Sequence, residues 1–211
     1  MSGKKIAAYL GGTFDPVHAG HIAMARAALE SGRCNEVWFG CAWIQPQKRD
    51  RRVTGIIHRL NMTALALEGR EGMRLCDYEA RRRPEPSYTI DVLRGMNAEY
   101  PEWEFRMLIG GDSLLNLHTW HQADALVREQ EFITVPRPGF PVDAAALEDR
   151  WHDPEIVKKL LSSVLPAPFH RDSSTEIRKN CQTDLVLPEI RAYIDRCGLY
   201  KERKRGNLEN G

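Results

Sequence analysis

GGTFDPVHAGH, residues 11–21, is the stretch that decides the fold. It follows a short apolar run at 6–10 and precedes a run with helical spacing at 22–31. A strand, a glycine-containing turn and the start of a helix therefore follow one another directly. Such a turn presents backbone N–H groups and the positive end of a helix dipole to an anion. The stretch predicts a pocket for nucleotide phosphates, with His18 and His21 at its mouth.

Strand-like and helix-like runs alternate along the rest of the chain. Strands are predicted at 6–10, 36–41, 73–76, 104–109 and 132–135, with a short last one at 164–169. Helices are predicted at 21–31, 56–68, 89–100 (capped by Ser87 or Thr89), 123–128, 153–163, 174–180 and 188–196. Strict alternation predicts an α/β fold, a Rossmann-like parallel sheet with helices on both faces and a small C-terminal helical portion. We expect one domain over 1–200 and a polar tail at 201–211.

Three of the loops that follow predicted strands are distinguished by glycine or proline. They lie near Gly11, Pro46 and Gly110. Ligands of open parallel sheets bind beyond the carboxyl ends of the strands, where the strand order reverses. We therefore expect these three loops to meet at one edge of the sheet.

The composition and net charge limit which classes of ligand the chain is expected to bind. The chain has 211 residues, is 42% apolar and carries a formal net charge of only +1, so a broad nucleic-acid surface is not indicated. The basic run at 48–52 and Arg81 to Arg83 lack interleaved aromatic residues, which favours small phosphates. No apolar stretch approaches the length that spans a bilayer. Five scattered cysteines without a CxxC pair indicate reduced thiols and a cytoplasmic protein. The oligomeric state stays open, a homo-oligomer included.

The two histidines are the candidate chemical groups. Both imidazoles can donate hydrogen bonds to phosphate oxygens, and Gly20 between them lets the backbone approach a ligand closely. A zinc site is the rival interpretation, but no third ligand is evident nearby, and we predict no metal site. The GxxxxGK[ST] phosphate loop and the GxGxxG dinucleotide fingerprint are both absent.

An ordered set of motifs carries a family resemblance. GGTFDPVHAGH resembles the signature of the HxGH nucleotidyltransferase superfamily. The further motifs are HRLNM (58–62), SYTIDVL (87–93), IGGDSLLNLHTW (109–120), RPG (137–139), SSTEIR (173–178) and YIDRCGLY (193–200). Together they are similar to the bacterial nicotinate-nucleotide adenylyltransferase family, from Ile6 to Tyr200. HxGH alone would indicate only the superfamily.

The resemblance implies adenylyl transfer from ATP, with Mg²⁺ arriving on ATP, to nicotinate mononucleotide. The implied catalytic residues are His18, His21 and Arg178. The implied ATP-binding residues are Gly12, Thr13, Phe14, His18, His21, Asp112, Ser174, Thr175 and Arg178. The implied mononucleotide-binding residues are Asp15, Lys48, Tyr88, Thr89, Trp120 and Arg137. From local sequence alone, SSTEIR is equally a plain helix cap with a surface arginine, and Tyr88 and Trp120 are equally core aromatics.

Two positions depart from the family pattern. Gln47 stands where members of the family commonly have histidine, and Asp172 stands where they usually have an apolar residue. These departures motivate one alternative, a catalytically weak nucleotide-binding regulatory protein. Transfer to nicotinamide mononucleotide and transfer to phosphopantetheine also stay open as alternatives within the superfamily.

Overall fold

The computed structural model describes residues 4–44, 53–137, 139–166 and 186–200. The strands are β1 Lys5–Gly12, β2 Glu36–Cys41, β3 Met73–Cys76, β4 Trp103–Gly110 and β5 Glu131–Val135. The helices are α1 Ala19–Glu30, α2 Ile56–Leu67, α3 Tyr78–Arg82, α4 Thr89–Glu99, α5 Gly111–Leu115, α6 Ala123–Glu129, α7 Ala144–Glu148, α8 Pro154–Ser162 and α9 Pro188–Cys197, with a 3₁₀ turn at Leu117–Thr119.

The five strands form one parallel sheet in the order β3-β2-β1-β4-β5. This order confirms the predicted Rossmann-like α/β fold, because it is that of the doubly wound sheet without its sixth strand. The direction of progression reverses between β1 and β4, whose registers pair Tyr9 with Met107. The crevice beyond the carboxyl ends of these two strands is therefore where the fold places a ligand.

Helices cover both faces of the sheet. Side chains alternate along β1, so that Ala7 and Tyr9 enter one hydrophobic cluster and Ala8 and Leu10 enter the other. The first cluster continues into α4, α6 and α8, and the second into α1, α2 and α9. The predicted C-terminal helix is thus part of the core; its Tyr193 hydroxyl lies 2.9 Å from His58 Nδ1 on α2.

Several local features differ from the sequence prediction. The polar run after β3 contains α3, and the segment after β4 contains α5 and a 3₁₀ turn, and these helices were not predicted. The last strand is reduced to a single bridge between Val164 and Thr134, and residues 167–169 lie outside the described ranges. Neither Ser87 nor Thr89 caps α4, whose N-cap is Tyr88. Short helices escape periodicity because they span too few residues to show it.

Gly40 of β2 is a position where side-chain size is limited by the neighbouring strand. A Cβ there would lie 2.1 Å from the Tyr9 hydroxyl and 2.4 Å from its ring, and Tyr9 is only 2% exposed. We expect Gly40→Ala to lower the free energy of unfolding by roughly 1–3 kcal/mol, the usual cost of overpacking, as measured by urea unfolding. A double-mutant cycle with Tyr9→Leu provides the control, since removing the ring should restore part of the loss. Simply additive losses would contradict the assigned cause.

Candidate active site at the carboxyl edge of the sheet

The turn between β1 and α1 is shaped by Phe14, which adopts a positive φ of 47°. Its ring packs 5.7 Å from that of Phe39 and meets the His21 ring edge-on at 4.9 Å. A Cβ at Gly12 would lie 2.9 Å from the Phe14 ring, so the glycine makes room for it. Gly12 and Phe14, predicted as ATP-binding residues, thereby also set the path of the turn.

His18 and His21 form the start of α1 together. His18 is the N-cap, and the two residues form a capping box in which the His18 backbone N–H donates to His21 Nδ1 at 3.2 Å. Their ring centroids are 3.8 Å apart. Because Nδ1 of His21 accepts a hydrogen bond, the neutral ring carries its proton on Nε2. His21 is therefore set up as a hydrogen-bond donor at the positive end of a twelve-residue helix.

Arg59 of α2 binds the backbone of the turn between β1 and α1. It is 3% exposed, and its guanidinium donates to the carbonyl of Thr13 at 2.8 Å and to that of Thr54 at 2.9 Å. Burial lowers the pKa of Arg59, and the nearby acidic groups, Asp15 among them, oppose that shift. The guanidinium remains charged at neutral pH, because the pKa of arginine is so high. A buried cation thus fixes the backbone between β1 and the histidines.

Asp15 connects the same turn to two distant segments. Its carboxylate accepts hydrogen bonds from the Thr54 backbone N–H at 3.1 Å and from the Tyr200 hydroxyl. The side chain is 4% exposed. The predicted role of Asp15 in mononucleotide binding stays a prediction, and the described contacts give it a part in holding the turn.

A second pair of predicted site residues meets at the ends of β4 and β5. Arg137 donates to Asp112 Oδ2 at 2.8 Å, and both side chains are about one-third exposed or less, at 28% and 30%. A Cβ at Gly110 would lie 2.7 Å from Asp112 Oδ1, so this glycine allows the carboxylate to fold back over the strand end. The structure brings Asp112 and Arg137 together, although the sequence assigned them to different substrates.

The predicted aromatic residues of the mononucleotide site also lie close together. Tyr88, the N-cap of α4, stacks on His121 with ring centroids 3.8 Å apart and planes 18° from parallel. His121 follows Trp120 directly, at the end of the 3₁₀ turn. Thr89 is the first residue of α4, where backbone N–H groups lack helical acceptors. The α4 start and the Trp120 segment thus form one partly exposed aromatic surface.

Three buried cysteines line the sheet without offering a nucleophile. Burial raises the pKa of the Cys34 and Cys41 thiols to about 11 and that of the Cys76 thiol to about 12. These side chains are therefore protonated thiols at neutral pH. They are free, as is Cys197.

Comparison with known proteins places the chain in a family. The cytidylyltransferase-like family matches residues 9–180. A Bacillus cereus protein named "Probable nicotinate-nucleotide adenylyltransferase" is 36% identical over 193 residues, covering 91% of this chain and 96% of that protein. The chain belongs to the nicotinate-nucleotide adenylyltransferase family. A protein of the same name from Bacillus mycoides is 33% identical over 198 residues, again covering 91% of this chain and 96% of the relative.

The fold agrees with this membership. The nicotinic acid mononucleotide adenylyltransferase of Plasmodium falciparum, solved as a complex with NaAD, superposes with a TM-score of 0.73 at 22% identity, over 93% of this chain and 97% of that chain. A putative nicotinate-nucleotide adenylyltransferase from Vibrio parahaemolyticus superposes with a TM-score of 0.58 at 18% identity, over 94% and 96% of the two chains. At these identities the likeness concerns the fold alone.

Part of the family's expected site lies outside the described residues. This holds for Lys48, Ser174, Thr175 and Arg178, and for the departures Gln47 and Asp172. Within the described ranges, no group of three or more His, Cys, Asp or Glu side chains is placed to hold a metal ion. In that same part of the chain, no helix combines the length and apolar character needed to cross a bilayer.

Two buried charged residues near the site were missed in the sequence. Arg59 lies inside HRLNM, a motif whose charged residue interrupts an apolar helix pattern. Glu79 lies in the polar run after β3, among four other charged residues between 77 and 83, and has no periodic neighbour to mark it. A charged residue inside a family motif was the available signal for Arg59; Glu79 gave none.

Proposed function

We propose that the chain transfers the adenylyl group of ATP to nicotinate mononucleotide, giving nicotinate adenine dinucleotide (deamido-NAD) and pyrophosphate in NAD biosynthesis. Membership of the nicotinate-nucleotide adenylyltransferase family supports the substrates. The observation that carries the proposal in the structure is the His18–His21 pair at the positive end of α1, at the switch point of the sheet.

The mechanism requires positioning more than proton transfer. The mononucleotide phosphate attacks the α-phosphorus of ATP in line; one P–O bond forms, the bond to the β-phosphate oxygen breaks, and pyrophosphate leaves. The attacking group is an ionised phosphate monoester, so no proton has to be removed from it. His21, with its Nε2 proton, would donate to the α-phosphate as charge develops in the transition state, and His18 would act beside it.

The remaining roles come from the family resemblance. Arg178, with Ser174 and Thr175, would hold the leaving pyrophosphate, and Lys48 would hold the mononucleotide phosphate. Asp112 would bind the ribose of ATP, and Tyr88, Thr89 and Trp120 would surround the nicotinate ring. ATP would enter as its Mg²⁺ complex, with the ion held mainly by phosphate and water.

Because the described cysteines are free thiols, we also propose that the protein works in a reducing compartment, the cytoplasm.

The test is a chromatographic assay of the purified full chain. With ATP, Mg²⁺ and nicotinate mononucleotide we expect nicotinate adenine dinucleotide and pyrophosphate in equal amounts. Parallel reactions with nicotinamide mononucleotide and with phosphopantetheine identify the two alternative acceptors. ATP binding by calorimetry with no product from any acceptor would contradict the proposed function and favour the regulatory alternative.

A further inference from the structure

Glu79 of α3 is a buried carboxylate that joins three segments of the chain. It is 4% exposed. Oε1 accepts from the Tyr9 hydroxyl of β1 at 2.6 Å, and Oε2 accepts from the Trp43 backbone N–H at 3.2 Å. Ser87 adds a side-chain hydrogen bond. Burial raises the pKa of Glu79, and these hydrogen bonds oppose that shift. A carboxylate in this position is retained only because its partners replace water.

The sheet is built so that Tyr9 can reach this carboxylate. The Tyr9 ring lies over Gly40 of the neighbouring strand, where a side chain would collide with its hydroxyl. Burial raises the pKa of Tyr9 well above its ordinary value, so the hydroxyl keeps its proton and acts as a donor. Glu79 is thereby fixed relative to the rigid centre of the sheet rather than to a loop.

The other two segments are bound to each other as well as to Glu79. The Ile44 backbone N–H donates to Ser87 Oγ at 3.1 Å, and the Ser87 backbone N–H donates to the Ile44 carbonyl at 3.0 Å. The Trp43 indole donates to Glu85 Oε1 at 3.2 Å. We call this set of contacts, formed by residues 43–44 and 85–87 with Glu79, the Glu79 junction.

The position of the Glu79 junction relates it to the mononucleotide site. Ser87 immediately precedes Tyr88 and Thr89, the N-cap and first residue of α4. Ile44 lies four residues before Lys48, the proposed phosphate ligand. The segment that carries Tyr88 and Thr89, two of the proposed mononucleotide contacts, therefore begins at this junction. The turn that carries His18 and His21 is instead held by a hydrogen bond from Arg59 to the Thr13 carbonyl. Arg59 and Glu79 also attract each other electrostatically, but no hydrogen bond joins them in the described part of the chain.

We propose that Glu79 is a positioning residue for the mononucleotide, holding the start of α4, with Tyr88 and Thr89, in its binding arrangement. This inference rests on the proposed function. It assigns Glu79 no contact with substrate. It predicts a selective effect: loss of the carboxylate weakens the apparent affinity for nicotinate mononucleotide and leaves that for ATP unchanged.

The experiment compares steady-state kinetics of Glu79→Ala and Glu79→Gln, with each substrate varied in turn. For Glu79→Ala we expect the KM for nicotinate mononucleotide to rise roughly tenfold, the scale of one lost hydrogen bond to a charged group. The KM for ATP should stay within about twofold of wild type. Glu79→Gln should largely restore the mononucleotide KM, because the amide oxygen can accept from Trp43 while the Tyr9 hydroxyl accepts from the amide nitrogen.

Tyr9→Phe is the matched control. It removes one hydrogen bond of the same carboxylate but keeps the contact with Trp43. We expect a lower unfolding midpoint and a mononucleotide KM that rises much less than in Glu79→Ala, because the carboxylate keeps its hydrogen bond with Trp43. If Glu79→Ala does not fold, Ser87→Ala decides instead: it removes the acceptor of the Ile44 N–H from the other side of the junction and should raise the mononucleotide KM alone, by about threefold.

The proposal is overturned if folded Glu79→Ala keeps its mononucleotide KM, if both KM values rise together, or if Tyr9→Phe matches Glu79→Ala. Wild-type protein without dinucleotide product would contradict the proposed function instead.

Amide hydrogen exchange tests the Glu79 junction independently of activity. The Trp43 and Ile44 N–H groups should exchange faster in Glu79→Ala than in Tyr9→Phe, and equal rates in the two variants would overturn the assignment.

Discussion

His18→Ala is expected to lower kcat by roughly 100-fold or more, the scale on which a single lost transition-state donor acts. His18 and His21 stand at the positive end of α1 with their rings 3.8 Å apart. Their positions are fixed by the capping box and by the contact of His21 with Phe14, so both rings are in place before substrate binds. Donors that need no rearrangement contribute most where charge develops during the reaction. The measurement is kcat for dinucleotide formation at saturating ATP and nicotinate mononucleotide.

Two variants separate this chemistry from the structural role of His18. The residue is also the N-cap of α1, so alanine removes a cap as well as an imidazole. Asparagine is a favourable N-cap, and His18→Asn should therefore recover the unfolding midpoint without recovering kcat. The exposed His152 is the second control, and His152→Ala should keep wild-type turnover. Near-normal turnover of a folded His18→Ala protein would contradict the assignment.

The sequence predicted the sheet and the histidine pair because both depend on local order along the chain. Buried parallel strands are short apolar runs, and the turn after the first of them is marked by glycine and histidine. The strand β2 and the strand β3 begin and end where predicted, at Glu36–Cys41 and Met73–Cys76. The loops after β1 and β4 meet at the switch point for the same reason: in a parallel sheet, carboxyl ends share an edge.

Contacts between distant residues could not be predicted in this way. Glu79 accepts from Tyr9, seventy positions away, and Arg59 donates to Thr13, forty-six positions away. Neither pair is marked by spacing, because each depends on how α2 and α3 dock on the finished sheet. The need for glycine at position 40 could not be predicted either. A side chain there is excluded only because the Tyr9 ring of the neighbouring strand lies over it in the folded sheet.

The sequence also did not predict which side chains the predicted site residues contact. Asp112 and Arg137 were assigned to different substrates, yet their side chains pair at 2.8 Å at the ends of β4 and β5. Asp15 accepts hydrogen bonds from Thr54 and Tyr200. Motifs indicate which residues belong to a site, whereas hydrogen bonds between motifs arise only in the folded chain. The roles of these residues toward substrates accordingly stay predictions.

Arg59→Ala is expected to lower the free energy of unfolding by about 3–5 kcal/mol, the range for removing one member of a buried charged network. The substitution leaves the carbonyls of Thr13 and Thr54 without their donor. It also removes a positive charge that attracts the buried carboxylates of Asp15 and Glu79. A loss of this size is a large share of the 5–15 kcal/mol that stabilises a typical domain. Urea unfolding followed by circular dichroism measures it.

Arg59→Lys separates charge from geometry. Lysine keeps the positive charge, but its single ammonium lacks the planar fork that lets a guanidinium serve two carbonyls at once. We expect the lysine variant to fold with a lower midpoint and to lose roughly tenfold in kcat, because the carbonyls of Thr13 and Thr54 no longer share one donor group beside the turn that carries the histidines. Arg94→Ala is the matched control: this exposed arginine pairs with Glu129 on the surface, and its removal should leave the midpoint near that of wild type. An unchanged midpoint and kcat in Arg59→Ala would show that the turn holds its shape without the buried cation.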